Sequence, residues 1–246
     1  MKIVTVIRRV PDAEARVRVE GDDVVLTGAA WVLDGMDEYG VEEALRLRES
    51  GIDAEIVALA VGPDATEEAL RTALAMGADR ARLLTTDAAP DPLTTARMLA
   101  AAIQEEEADL VLVGGKQADW DSAALGPALA ETLGWPVADW TTSLAVDGDT
   151  LQCVHDADVG NEALAMPLPA VVTTQQGLND PRYPTLPNIM KAKRKELRAE
   201  PAPDASASVR TVSRTVEQRE RRRTLIEGDP REGAHAIVSL LREAGA

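Results

Sequence analysis

Phenylalanine is absent from this 246-residue chain, and four tryptophans and two tyrosines bring the aromatic share to only 2%. Aromatic rings normally carry much of the bulk of a core, so this one has to be built from Ala, Val and Leu. A single cysteine, Cys153, excludes an intrachain disulfide and leaves no thiolate set for zinc. No G-x-S-x-G nucleophile elbow is present, and neither the P-loop nor the G-x-G-x-x-G spacing occurs. No apolar run reaches the ~20 residues of a membrane span. The opening MKIVTVIRRV lacks the apolar stretch and cleavage site of a signal peptide, so the chain reads as cytoplasmic. Basic residues are few, 26 against 42 acidic ones, which argues against nucleic acid as the main partner.

With 45% hydrophobic residues there is material for a real core, and the length allows one large α/β domain or a domain with an appendage. Residues 2–7 (KIVTVI) read as a buried strand, and Gly21 and Asp22 sit between short runs at 16–19 and 24–26 as in a small hairpin. Helices are expected at 37–50, 65–76, 92–106 and 122–133, the last with Ser122 as N-cap. They alternate with strands at 54–61, 82–84 and 108–113. Such alternation makes a doubly wound, mostly parallel sheet with helices on both faces. Beyond Trp135 and Pro136 come short strands at 143–146, 151–154, 163–166 and 170–174, a small β-rich part.

After Lys195 the composition changes. Residues 200–208 (EPAPDASAS) have linker chemistry, 219–223 (RERRR) form a charge run, and Ala236, Ile237, Leu240 and Leu241 mark an amphipathic helix over 233–244. The division expected is a domain over 1–197 and an arm over 198–246. Charge follows a similar line: residues 191–246 hold 13 basic and 9 acidic side chains, the 190 before them 13 and 33. An acidic body precedes a mildly basic end.

Ligands of open parallel sheets bind beyond the carboxyl ends of the strands, where strand order reverses. The loops to search are therefore Arg8 to Asp12, Gly62 with Pro63, and the run from Gly114 to Ser122. Glycines, a lysine and a serine ahead of a helix can cradle a phosphate, or simply turn the chain. Catalytic sets are poor. His155, Asp156 and Asp158 could act as an acid–base group or be a solvated strand end, and Cys153 reads as a small core residue. The stretch 177–195 (GLNDPRYPTLPNIMKAKRK) is the most unusual. Pro181, Pro184 and Pro187 stiffen it around Leu186, which suits either a protein-binding anchor or a crossing loop with Leu186 and Tyr183 packed inward.

The segments VIRRVPD, DEYGVEEALRL, RTALAMGADR (71–80), LVGGKQADWD (112–121), LPAVVT (168–173) and LNDPRYPTLPNIMKAKRK (178–195) carry a likeness over essentially the whole length. Through them the chain resembles the β subunit of electron-transfer flavoprotein. That resemblance implies an adenine-nucleotide-binding, Rossmann-like domain that holds AMP structurally. It implies pairing with an α subunit that carries most of the FAD, with the arm wrapped around it. Electrons would come from acyl-CoA or related dehydrogenases and leave to a quinone oxidoreductase or another acceptor. The protein is then an electron carrier subunit, not an enzyme.

Carried over position by position, the AMP site is Val6, the stretch Asp34, Gly35, Met36 and Asp37, then Val61. It continues through Gly115, Lys116, Gln117 and Ala118 to Asp121 and Ser122. The docking loop is 178–195, with Leu186 as anchor beside Tyr183, Pro187, Ile189 and Met190, and with Lys191, Lys193, Arg194 and Lys195 steering the approach. Asp156 matches an acidic position that meets an arginine of the α subunit near the flavin. The chain departs from the family where Asp34-Gly35 replaces Asn-Pro, where Ala123-Ala124-Leu125 replaces Gly-Gln-Val, and where Ala13 stands for a flavin-facing tyrosine. Two alternatives remain: a bifurcating flavoprotein with a second FAD in the β site, and a stand-alone nucleotide-binding signalling or stress protein.

Overall fold

The computed structural model describes residues 1–21, 23–213, 225–226, 228–243 and 245. In chain order the elements are β1 (Lys2–Val6), β2 (Arg9–Pro11), β3 (Arg18–Glu20), β4 (Asp23–Val25), β5 (Trp31–Leu33) and α1 (Gly35–Glu49), then β6 (Glu55–Gly62), α2 (Glu67–Met76), β7 (Arg80–Thr85) and α3 (Pro92–Glu105). There follow β8 (Leu110–Gly114), α4 (Leu125–Leu133), β9 (Val137–Asp147), β10 (Thr150–Ala157), β11 (Gly160–Pro167) and β12 (Ala170–Thr174). The last are α5 (Leu186–Ala192), β13 (Leu197–Pro201) and α6 (Pro230–Glu243).

Nine strands form one sheet in the order β11-β10-β9-β12-β8-β1-β6-β7-β13. From β9 to β13 the pairings are parallel, and β10 and β11 extend the sheet as antiparallel strands. The expected α/β architecture with a mostly parallel sheet is therefore present. Strand side chains alternate between faces, and the alternation builds two cores. Ile3, Ile56 and Ala58 face Leu45, Leu70 and Leu74 of α1 and α2. Val4, Val57 and Leu59 face Leu99, Ile103 and Leu129 of α3 and α4. No aromatic side chain is buried among the described residues, so the aliphatic core that composition demanded is what forms.

Caps decide where the helices begin. Asp34 accepts from the Met36 amide ahead of α1, and Asp91 accepts from Leu93 and Thr94 ahead of α3, whose first residue is Pro92. Gly134 closes α4 in the left-handed conformation that a residue without Cβ adopts freely. Ser122 does not cap α4. That helix starts at Leu125 after Ala124, with no side-chain cap, because the two residues before it turn back on themselves: the Ser122 amide donates to Trp120 O, and Ala123 takes a φ of 49°.

Residues 198–209 belong to the domain more closely than their linker-like composition suggests. β13 lies parallel to β7 as the sheet edge, where Pro201 is tolerated, and Glu200 pairs with the buried Arg82. Asp91 also accepts from the amides of Ser208 and Val209. By its contacts the chain forms two units, Met1–Val212 and Ser213–Ala246. The charge run at 219–223 lies outside the described residues. In the second unit α6 is present as expected, with Ile237, Val238, Leu240 and Leu241 all exposed.

Candidate functional site

Strand order reverses beside β1: the chain moves outward through β6 and β7, then returns to β8 on the other side of β1. A cavity of about 420 Å³ opens at the carboxyl ends there. Val6 to Val10, Val61 to Pro63, Asp87 to Pro90, Gln117, Asp119, Trp120 and Trp31 line it. A second cavity of about 410 Å³ is lined by Asp34, Gly35, Met36, Lys116, Gln117, Ala118 and the segment from Pro181 to Pro184. The residues expected at the nucleotide thus divide, with Val6 and Val61 in the first cavity and the Asp34–Met36 group in the second. Gln117 lines both.

Asp37 has another partner. Its Oδ1 accepts from Arg8 Nη2 (2.6 Å) and the Gly114 amide (2.9 Å), and its Oδ2 from the Arg8 amide (2.8 Å) and Nε (2.9 Å). Its side chain is fully buried. With both oxygens committed it has nothing to offer a ligand; it ties the end of β1 to α1 and β8. A Cβ at Gly114 would run into the Arg8 guanidinium and the Asp37 carboxylate, which is why glycine stands there. Burial pushes the Asp37 carboxyl up to about 6, with Arg8 pulling it back, so it is ionised at neutral pH. Burial opposes the Arg8 charge as well, but Asp37 outweighs it and holds the guanidinium more firmly protonated than usual.

Asp34 is a staple. One carboxylate oxygen caps α1 and the other accepts from the Ala118 amide at 2.9 Å, fixing the glycine loop over the helix end. Gly115 lies under Trp140, whose ring a Cβ there would approach to 3.2 Å. Lys116 reaches Asp121 at 3.4 Å on the surface, and Ser122 Oγ is buried without a hydrogen-bond partner among the described residues. Arg9, Trp31 and Trp120 belong to the first cavity although the residue-by-residue likeness did not pick them. Arg9 and Trp120 stand in the loops after β1 and β8 that the strand pattern marked for search, whereas Trp31, at the start of β5, carried no such mark.

Residues 178–195 are braced at the base and open at the tip. Arg182 pairs with Glu42 and Glu49 of α1, and Asn179 Nδ2 donates to Tyr39 O and Glu43. Tyr183 is 93% exposed and Leu186 74%, with Pro187, Ile189 and Met190 exposed beside them, so the inward-packed alternative does not hold. Leu186 opens a short helix capped by Thr185 instead of sitting in an irregular loop. Lys195 is not a free steering charge. Its Nζ donates to Leu74 O and Ala78 O at the end of α2, where a cation complements the helix dipole, and burial lowers its pKa.

Asp156 accepts from Gln175 Nε2 at 3.0 Å, while His155 Nε2 lies 3.3 Å from Glu162. The His155, Asp156 and Asp158 group is therefore not an assembled acid–base set. Cys153 is buried and its thiol is pushed up to about 12, out of reach of nucleophilic use. Among the described residues no cluster suits a metal ion, and no helix is long and apolar enough to cross a membrane.

Residues 23–205 match the family model described as electron transfer flavoprotein domain. Among curated relatives, a Bradyrhizobium diazoefficiens protein named electron transfer flavoprotein subunit beta is 37% identical, covering 100% of this chain and 99% of its own. Proteins of the same name from Bacillus subtilis (35% identical, 98% of each chain) and Sus scrofa (37% identical, 100% of this chain and 98% of its own) match similarly.

Proposed function

The chain belongs to the electron transfer flavoprotein family as a β subunit, and from that premise we propose that it pairs with an α subunit as a cytoplasmic electron carrier. Acyl-CoA or related dehydrogenases are the electron donors, and a membrane quinone oxidoreductase or another acceptor takes the electrons. FAD held mainly by the α subunit supplies the redox chemistry when bound. This chain anchors the α subunit, shields the flavin on one side and presents the docking loop. Asp156 is offered to an arginine of the α subunit near the flavin, and the apolar face of α6 lies on that subunit.

The observation that carries the docking role is the exposed apolar group Tyr183, Leu186, Ile189 and Met190 on a base held by two ion pairs. Such a loop keeps its shape before binding and loses little entropy in the complex. AMP fits the cavity at the strand ends. The Arg9 Nε there is buried and without a hydrogen-bond partner among the described residues, and Trp31 and Trp120 are among the lining residues. Val6, Val61 and Gln117 would line the nucleotide, with the Gly115 to Ala118 loop shaping one wall. Asp37 holds that loop and does not touch the ligand. One observation favours a longer ligand, FAD in place of AMP: the two cavities share Gln117.

Nucleotide content decides between them. The heterodimer co-expressed with its α subunit is expected to release one FAD and one AMP on denaturation. Two FAD per heterodimer would make it a bifurcating protein. A stable monomer that binds and hydrolyses ATP would make it a stand-alone nucleotide module.

A further inference from the structure

We propose that Arg9, held by the ring of Trp31, is the residue that binds the phosphate of a nucleoside monophosphate in the strand-end cavity. This rests on reading that cavity as a nucleotide site. Four charged side chains line it: Arg8, Arg9, Asp87 and Asp119. Arg8 is committed to Asp37 and to the carbonyls of Gly114 and Lys116. Among the described residues Arg9 has no such commitment. Its side chain is only 17% exposed, yet its nearest carboxylate is Glu68 at 3.9 Å, on a side chain that is itself 74% exposed. A pair so distant and so solvated contributes little.

The Arg9 Nε is buried and makes no hydrogen bond among the described residues. A donor left in that state is costly, and rare in folded proteins unless a ligand or water completes it. The side chain is nevertheless held in place. β2 and β5 form a two-strand ribbon in which Arg9 faces Leu33, which puts Trp31 on the diagonal; the guanidinium lies 4.5 Å from the centre of the Trp31 ring. Stacking holds the plane of the fork, whose planar N–H groups match two oxygens of one phosphate. Asp87 and Asp119 on the same lining oppose further negative charge, so one phosphate group suits the cavity better than two or three.

The test is calorimetric titration of the full-length chain with AMP and, separately, with adenosine. Arg9→Met is expected to weaken AMP by about 10- to 100-fold while adenosine affinity stays within about twofold, because only the charge-assisted bonds to phosphate are lost. Arg9→Lys is expected to recover part of the AMP affinity, and Trp31→Leu to lower it by less than Arg9→Met does. Melting curves of the variants identify any that fail to fold, and the lysine variant keeps the comparison meaningful if Arg9→Met does. AMP affinity unchanged in Arg9→Met, or AMP and adenosine weakened equally, would overturn the assignment. If the wild-type chain binds neither compound, the nucleotide reading fails and the assignment falls with it.

Discussion

Leu186→Ala is expected to lower the kcat/KM for flavin reduction by a partner dehydrogenase by about 30-fold, corresponding to a hot-spot loss of about 2 kcal/mol. Assembly with the α subunit should be unchanged. The reasoning starts from exposure: Leu186 stands 74% in solvent, where burial in an apolar pocket has most to gain. The loop that carries it does not need to be ordered on binding. Arg182 bridges Glu42 and Glu49, and Thr185 caps the short helix on which Leu186 stands. Rapid mixing of the reduced dehydrogenase with the heterodimer reads the effect directly. Unchanged reduction kinetics would remove Leu186 as the anchor, and loss of assembly would move the loop to the subunit interface.

The second large effect concerns the ion pair under the glycine loop. Asp37→Ala is expected to destabilise the domain by about 3–5 kcal/mol, because it leaves the buried Arg8 charge and the Gly114 amide without their acceptor. The variant also frees the end of β8, so the loop from Gly115 to Ser122 should exchange its amide hydrogens faster. Asp37→Asn keeps an acceptor and should lose less. Replacing both partners, Arg8→Met with Asp37→Leu, should restore much of the stability, since the cost comes from the stranded charge more than from the missing pair. Urea unfolding of the three variants at neutral pH distinguishes these outcomes. Equal stability of Asp37→Ala and wild type would mean that Arg8 finds water or another acceptor.

Arg8 and Asp37 also show what one-dimensional reading can and cannot reach. The parallel sheet was legible because KIVTVI, the run ending at Val61 and the run ending at Val113 are apolar and β-branched, and fully buried strands need that. The helices were legible from apolar spacing, whereas the caps Asp34 and Asp91 show only in the structure. β13 was not, because an edge strand buries little: LRAEP carries no apolar run, and its place depends on pairing with β7 and on Glu200 reaching Arg82. The start of α4 was misplaced for a local reason, the turn at Ser122 and Ala123 that delays the helix.

The site was legible as a set of loops and not as a set of roles. Topology and family likeness agreed on the loops after β1, β6 and β8. Asp37 and Asp34 nonetheless turn inward to bind Arg8 and the Ala118 amide, contacts that span 29 and 84 residues and leave no trace in local pattern. Lys195 likewise looks like one more cation in a basic run until the carbonyls of Leu74 and Ala78 are seen to hold it. Arg9 stood in a loop marked for search but without a role, because its significance lies in what it lacks, and a missing hydrogen bond is visible only in three dimensions.

The measurement closest to the centre of these conclusions is reduction of a reconstituted pair. Full-length chain mixed with its α subunit and FAD is expected to elute as a 1:1 complex whose flavin is bleached by a dehydrogenase and its substrate. The same α subunit without this chain should remain oxidised. A chain that stays monomeric in the mixture, or an α subunit reduced equally well alone, would contradict the β-subunit role.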